Sequence, residues 1–410
     1  MKSIACRVGR MMHALVHPVL AVSMLLPAAA WSQQTIKVGA VLPLTGPAAS
    51  LGALSREGVL AAVKYINDNG GIKSLNGAKI EAVIRDHAGK PDVAKATAQS
   101  LIEDDKVVAI LGFQTSDVSI VGSQACAISG VPCLSVDATT VITERGQGSV
   151  YRIFPSIAQY GSALVSACAD FGTPAGTKVA ILTVQGALGQ ASAAAIKTAA
   201  EQRGWTVVAN IDYPAGTTRD FVPLATSLKS AGAQVVFALS YGEAPQVIQA
   251  MQQVAYRPQV YGVSAGFATQ AFLTTLKQDA NFIFVSAGFS PDLADKSPTL
   301  AQLVASYSAA NNGAKPGVDF FQYLSLMTVL KSGLEQAGST DKIKLNAALH
   351  SLDMKFGDPL VATVGGVKFN ASGDNIAVQA PVLQIQDAKQ AIVWPPSVAT
   401  AKVQKAPTAW

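Results

Sequence analysis

Short runs of β-branched and apolar residues alternate along this chain with longer stretches of helical period. That alternation leaves few folds open. Strands are predicted over Ile36–Leu42, Ile80–Arg85, Val107–Gly112, Cys133–Val136, Lys178–Thr183, Thr206–Tyr213, Val235–Ser240 and Val260–Val263. Helices are predicted between them over Ser55–Asn67, Pro91–Glu103, Gln190–Gly204, Phe221–Ala231 and Ala244–Ala255. Strands that are apolar on both faces and joined through helices form parallel sheets covered on both sides. The fold class is therefore α/β.

The series breaks at Tyr151–Ser156, where YRIFPS leads into a fresh helix, and a second series starts at Lys178. A further passage at Asn281–Asp292 leads to the helical block Pro298–Gly338, and Phe356–Ala388 reads as β-rich. About 380 residues remain behind the leader, more than one core usually holds, so two lobes are expected. They are placed at 33–155 plus 287–360 and at 156–286 plus 361–390, with a surface tail over 391–410. Ligands of such sheets sit beyond the carboxyl ends of the strands, so facing lobes would enclose one cleft.

The first 32 residues read as an export signal. Lys2, Arg7 and Arg10 supply a positive start, Ala14–Leu26 an apolar stretch broken by His17 and Pro18, and Ala28–Ala30 a small-residue cleavage region. The stretch is shorter than the ~20 apolar residues of a spanning helix. No cysteine follows it closely, which argues against a lipid anchor, and a periplasmic location is expected. Removing three positive charges lowers the formal net charge from +5 to +2, too little for a nucleic-acid partner.

Two strand ends carry small hydroxyl residues where an anion could bind. In LGFQTSD, Thr115 or Ser116 falls at a helix N-cap, where free amides and the helix dipole favour negative charge. Asp137-Ala138-Thr139-Thr140 repeats the arrangement behind the next strand. Together they could grip both oxygens of one carboxylate. Plain capping is the alternative for each.

A rival signal is Gly262-Val263-Ser264-Ala265-Gly266, a GxSxG behind a strand, as in an esterase nucleophile elbow. His350 follows in chain order, with Asp292 or Asp295 between them. No HGGG-like oxyanion loop accompanies it, and behind the leader only His87 and His350 could serve as base. Catalysis is not expected. Gly186-Ala187-Leu188-Gly189 lacks a nucleotide-binding spacing, and no Cys/His spacing suits a metal, so no cofactor is expected. Cys126 and Cys133 could pair in an oxidising compartment or stay as separate buried thiols, while Cys168 reads as core.

With those residues in view, the chain resembles the periplasmic solute-binding proteins of the branched-chain amino acid transport family. The likeness runs from Ile36 to about Asp387. It rests on IKVGAVLPLTGPAASLG, on INDNGGI followed by KIEAVIRDHAGKPDVAKATAQSLI, on VVAILG and on GVPCLSVDATT. YRIFPS and DFVPLATSLKSAGAQVVFALSYGEAPQVIQAM extend it. The resemblance implies a type I periplasmic-binding fold, with two doubly wound lobes, three crossovers and hinge closure. It also implies a monomer that delivers its ligand to an inner-membrane ABC permease. It places a ligand carboxylate against Ser116, the backbone of Asp137 and the hydroxyl and amide of Thr139, with Ala138 in the same turn. Leu51 and Gln114 become pocket-lining positions, and Tyr241 an aromatic closing from the second lobe.

Two positions depart from the family pattern. Ser264 stands where amino acid binders present an acid to the ligand ammonium, and Leu188 stands where they commonly place a tyrosine. A buried ammonium without a carboxylate partner costs several kcal/mol. The expected ligand therefore carries a carboxylate and no α-amino group, as an aromatic, keto or hydroxy acid does. Compensation by Glu243, beside Tyr241, is the alternative.

Overall fold

The computed structural model describes residues 35–405 apart from Pro47. The predicted leader and the last five residues lie outside them. Five strands form the first sheet: β1 Thr35–Leu42, β2 Lys79–Asp86, β3 Ile110–Gly112, β4 Cys133–Ser135 and β5 Val150–Arg152. They are parallel, in the order β2-β1-β3-β4-β5.

Period-two alternation explains why this sheet is covered twice. Val38, Ala40, Leu42, Leu111, Leu134 and Tyr151 face a core built with the helices Ala49–Asp68 and Val318–Ala337. Val41, Ile110, Cys133 and Val150 face the other way, toward Pro91–Glu103 and the short helices after it. Adjacent residues of one strand thus feed opposite cores. The helix at Ala49 starts six residues before the predicted Ser55, because no side chain caps its first turn to mark it.

The second sheet has seven strands: β6 Lys178–Val184, β7 Thr206–Tyr213, β8 Val235–Ala238, β9 Gln259–Val263, β10 Phe284–Ser286, β13 Val382–Gln386 and β14 Lys389–Trp394. Their order is β14-β13-β10-β9-β8-β6-β7, with β13 and β14 antiparallel to their neighbours. A two-stranded pair, β11 Asp353–Met354 and β12 Val367–Lys368, lies between.

Three crossings join the sheets, and they touch. The Ala287 amide donates to the Pro381 carbonyl at 3.0 Å. Asn375 Nδ2 reaches the Ile153 carbonyl at 2.8 Å.

Two sequence expectations need correction here. Residues 361–378, assigned above to the second lobe, pack with the first: Val361, Ala362, Val364, Val367 and Phe369 join its core. The pairing of β12 with β11 and the bonding of Gly373 and Asn375 to Arg152 hold the segment there. The surface tail begins later than position 391, since β14 runs through Trp394 and buries Ile392 and Val393. Beyond it, Val403 packs on the second core and the Gln404 amide donates to Gln384 Oε1 at 2.7 Å.

Candidate functional site

Parallel strands bring their carboxyl ends to one rim of each sheet. In the first, Gln114, Ser116 and the Asp137–Thr139 turn follow β3 and β4. In the second, Leu188, Tyr241 and Ser264 follow β6, β8 and β9. Tyr241 lies in electrostatic range of the first rim: burial foremost, then Asp117 and Asp137 of that rim and neighbouring Glu243, raise its phenol above its usual range.

Asp137 is the hub of the first rim. Its Oδ1 accepts the Ser116 hydroxyl at 2.9 Å and the Thr139 amide at 2.8 Å, and its Oδ2 accepts the Ser119 hydroxyl at 2.9 Å. Its own amide donates to Ser135 Oγ at 3.2 Å. Three of the donors assigned to a ligand carboxylate are thereby turned inward. The Thr139 hydroxyl accepts the Val141 amide at 3.3 Å and keeps its own proton to give. Ala138 packs against the second core.

Gln114, at φ +83, bridges two helices. Its Oε1 accepts the Ser55 hydroxyl at 2.9 Å, and its Nε2 donates to Asp319 Oδ1 at 2.5 Å. Ser55 also bonds the carbonyl of Leu51, whose side chain is half-exposed beside it. Burial pushes the Asp319 carboxyl up to about 6 against the pull of Gln114. One turn on, the Tyr323 hydroxyl is buried without a hydrogen-bond partner and lies in the field of Asp319 and Asp137. Sequence reasoning missed Asp319 and Tyr323. Their one local signal was an acid in the first turn of a helix, which ordinarily serves as a cap.

On the second rim, Gly266 sets the approach of the loop behind β9. Its amide donates to the Ser240 carbonyl at 2.9 Å, and a Cβ there would stand 1.7 Å from the Tyr241 carbonyl oxygen. Ser264 has φ +34, and its amide donates to Ser286 Oγ at 3.3 Å. Leu188 is partly buried against the second core. Glu243 turns into its own lobe: its Oε1 accepts the Gly216 amide, and its Oε2 is buried without a hydrogen-bond partner.

The structure does not bring the esterase candidates together. Ser264 follows the carboxyl end of β9, whereas His350 Nε2 bonds the Gly148 carbonyl at 2.9 Å, before the amino end of β5. Asp292 pairs with Lys315 at 3.3 Å, and Asp295 is exposed. Cys126 and Cys133 are free thiols buried in one core. The described residues hold no group of three or more metal-ligating side chains, and no described helix is long and apolar enough to cross a membrane.

Two doubly wound lobes with facing strand rims and three adjoining crossings are the architecture of a type I periplasmic-binding protein. The chain belongs to the periplasmic binding protein family, whose model matches residues 35–390. It is 27% identical over 397 residues to Leu/Ile/Val-binding protein homolog 7 of Brucella suis biovar 1, covering 94% of this chain and 98% of that one. Two solved structures share the fold. One is the branched-chain amino acid transporter substrate binding protein of Streptococcus pneumoniae in complex with isoleucine, with TM-score 0.72, 21% identity and coverage of 88% and 100%. The other is an ABC transporter substrate-binding protein of Desulfitobacterium hafniense in complex with Leu, with TM-score 0.73, 22% identity and the same coverage.

Proposed function

We propose that this chain, as a periplasmic monomer, captures a small carboxylate-bearing ligand between its two strand rims and presents it to an ABC-type permease. The rims are flexed about the three crossings, and contacts made only on closure favour the closed form. The ligand we propose is an aromatic, keto or hydroxy acid without an α-amino group. Glu243 carries this reading: it is the acid nearest Tyr241 in sequence, and its carboxylate serves Gly216 instead of the cleft. A second reading, a branched-chain amino acid, is favoured by Asp137 and Asp319, two carboxylates at the first rim that could meet an ammonium.

A thermal-shift screen of ligand-stripped protein decides between them. It would compare leucine, isoleucine and valine with 4-methyl-2-oxopentanoate, phenylpyruvate and benzoate. A ligand at a hundred times its Kd stabilises by about 2.7 kcal/mol. Shifts with the deaminated acids alone support the first reading, and shifts with the amino acids alone select the second. Turnover of a nitrophenyl ester that is lost in Ser264→Ala would replace both.

A further inference from the structure

The carboxylate of Asp137 takes two of the donors that the sequence offers to a ligand carboxylate. The two donors on its Oδ1, the Ser116 hydroxyl and the Thr139 amide, are the groups expected from the sequence to hold a ligand carboxylate. Each has one proton to give. While Asp137 holds them, a ligand oxygen cannot. Only 3% of Asp137 is exposed, so the arrangement is built in and is no accident of a surface rotamer.

A second carboxylate brought to these donors would lie beside the first. Two carboxylates in one such site share a proton, because both cannot ionise at close range in a poorly hydrated setting. The groups facing Asp137 offer little relief. Ser116 and Ser119 come from the helix after β3, Tyr241 from the second rim and Tyr323 from Val318–Ala337, all of them neutral. Arg152 on β5 is the cation in range, and its guanidinium is already engaged by Asp374, the Phe154 carbonyl and Gln159. Asp117, in range of Tyr241, adds more negative charge. The Tyr323 hydroxyl nearby is buried without a hydrogen-bond partner and adds no charge. Burial holds the Asp137 carboxyl above its ordinary range despite the Thr139 amide, the two serine hydroxyls and Arg152.

We propose that Asp137 is a proton-linked stand-in for the ligand: it occupies Ser116 and Thr139 in the free protein, and a carboxylate ligand takes them over as Asp137 accepts one proton from solvent. This deepens the proposed function and rests on it. Capture of the acid would then be electrically balanced inside the cleft and favoured by low pH.

The test is calorimetry with 4-methyl-2-oxopentanoate and with L-leucine between pH 6 and 8, in buffers of different ionisation enthalpy. For the keto acid we expect Kd to rise by up to about tenfold per pH unit, with buffer-dependent heat reporting uptake of up to one proton. Asp137→Asn, which keeps an acceptor for Ser116 and Thr139, should flatten the pH dependence. Asp137→Ala should flatten it and bind the keto acid more tightly. Keto-acid binding to wild type that is independent of pH and buffer would overturn the proposal. So would leucine binding that strengthens as pH rises, since Asp137 would then be serving an ammonium as an anion. Failure of wild type and Asp137→Ala alike to bind either compound at any pH would reject the carboxylate reading of the cleft itself.

Discussion

Arg152 and Asp374 stand 222 residues apart in sequence and meet as an ion pair, Nε to Oδ1 at 3.1 Å and Nη2 to Oδ1 at 2.9 Å. The guanidinium is nearly fully buried, and it also donates to the Phe154 carbonyl at 2.8 Å, which ties the first crossing to the returning segment. Removing one partner of such a pair leaves an uncompensated buried charge. Asp374→Ala should cost about 3–5 kcal/mol in urea unfolding followed by circular dichroism. A loss under about 1 kcal/mol would show that solvent reaches Arg152.

Asp319 should make stability depend on pH in the direction opposite to an ordinary salt-bridged acid. Its carboxyl is raised from 3.8 to about 6, so the folded chain holds this proton to higher pH than the unfolded chain does. Its contribution is intact below the unfolded value and is lost as pH rises through about 6. Asp319→Asn, which preserves the acceptor for Gln114, should stabilise at pH 8 by at most about 3 kcal/mol and by less at pH 5. Paired urea titrations at the two pH values check the sign, and destabilisation at pH 8 would refute it.

Tyr241 is 41% exposed, so Tyr241→Ala should leave the free protein within about 0.5 kcal/mol of wild type. If it closes over the ligand, binding should weaken about tenfold, the equivalent of 1.4 kcal/mol. Calorimetry with whichever acid shifts the melting curve reads both quantities in one preparation. Unchanged affinity would remove Tyr241 from the site.

Gly266→Ala should damage the second lobe, because the added carbon would press on the Tyr241 carbonyl. We expect a loss of about 3 kcal/mol or more in thermal unfolding. Wild-type stability would mean that the loop behind β9 is free to move away.

Cys126, Cys133 and Cys168 are all free and buried. The native protein should resist Ellman's reagent, and the same chain in guanidinium should release three equivalents from these positions. One equivalent would reveal a disulfide.

Much of the fold was legible because long, strongly patterned segments announce themselves: β1, β2, β6 and β7 fall within a residue of where apolar, β-branched runs placed them. β5 and β10 were not read as strands. Each has three residues and leads into a crossing, where YRIF and FVSA are apolar runs too short to separate strand from link. At the site, Ser116 and Thr139 could be picked out by hydroxyls at strand ends, a local property. The bond from Gln114 to Asp319 spans 205 residues, and no window of sequence contains it. The commitment of Ser116 to Asp137 was equally hidden, since a hydroxyl in sequence does not say to whom it donates.

The order of the strands carries a consequence for how the chain is made. The first core is closed by Val318–Ala337, and the second sheet gains its last two strands only at Val382–Trp394. A ribosome that had released the chain up to Ala280 would have delivered all five strands of the first sheet without the helix that closes its core, and four of the seven strands of the second. Each lobe thus waits on a segment that leaves the ribosome only after most of the other lobe has been made.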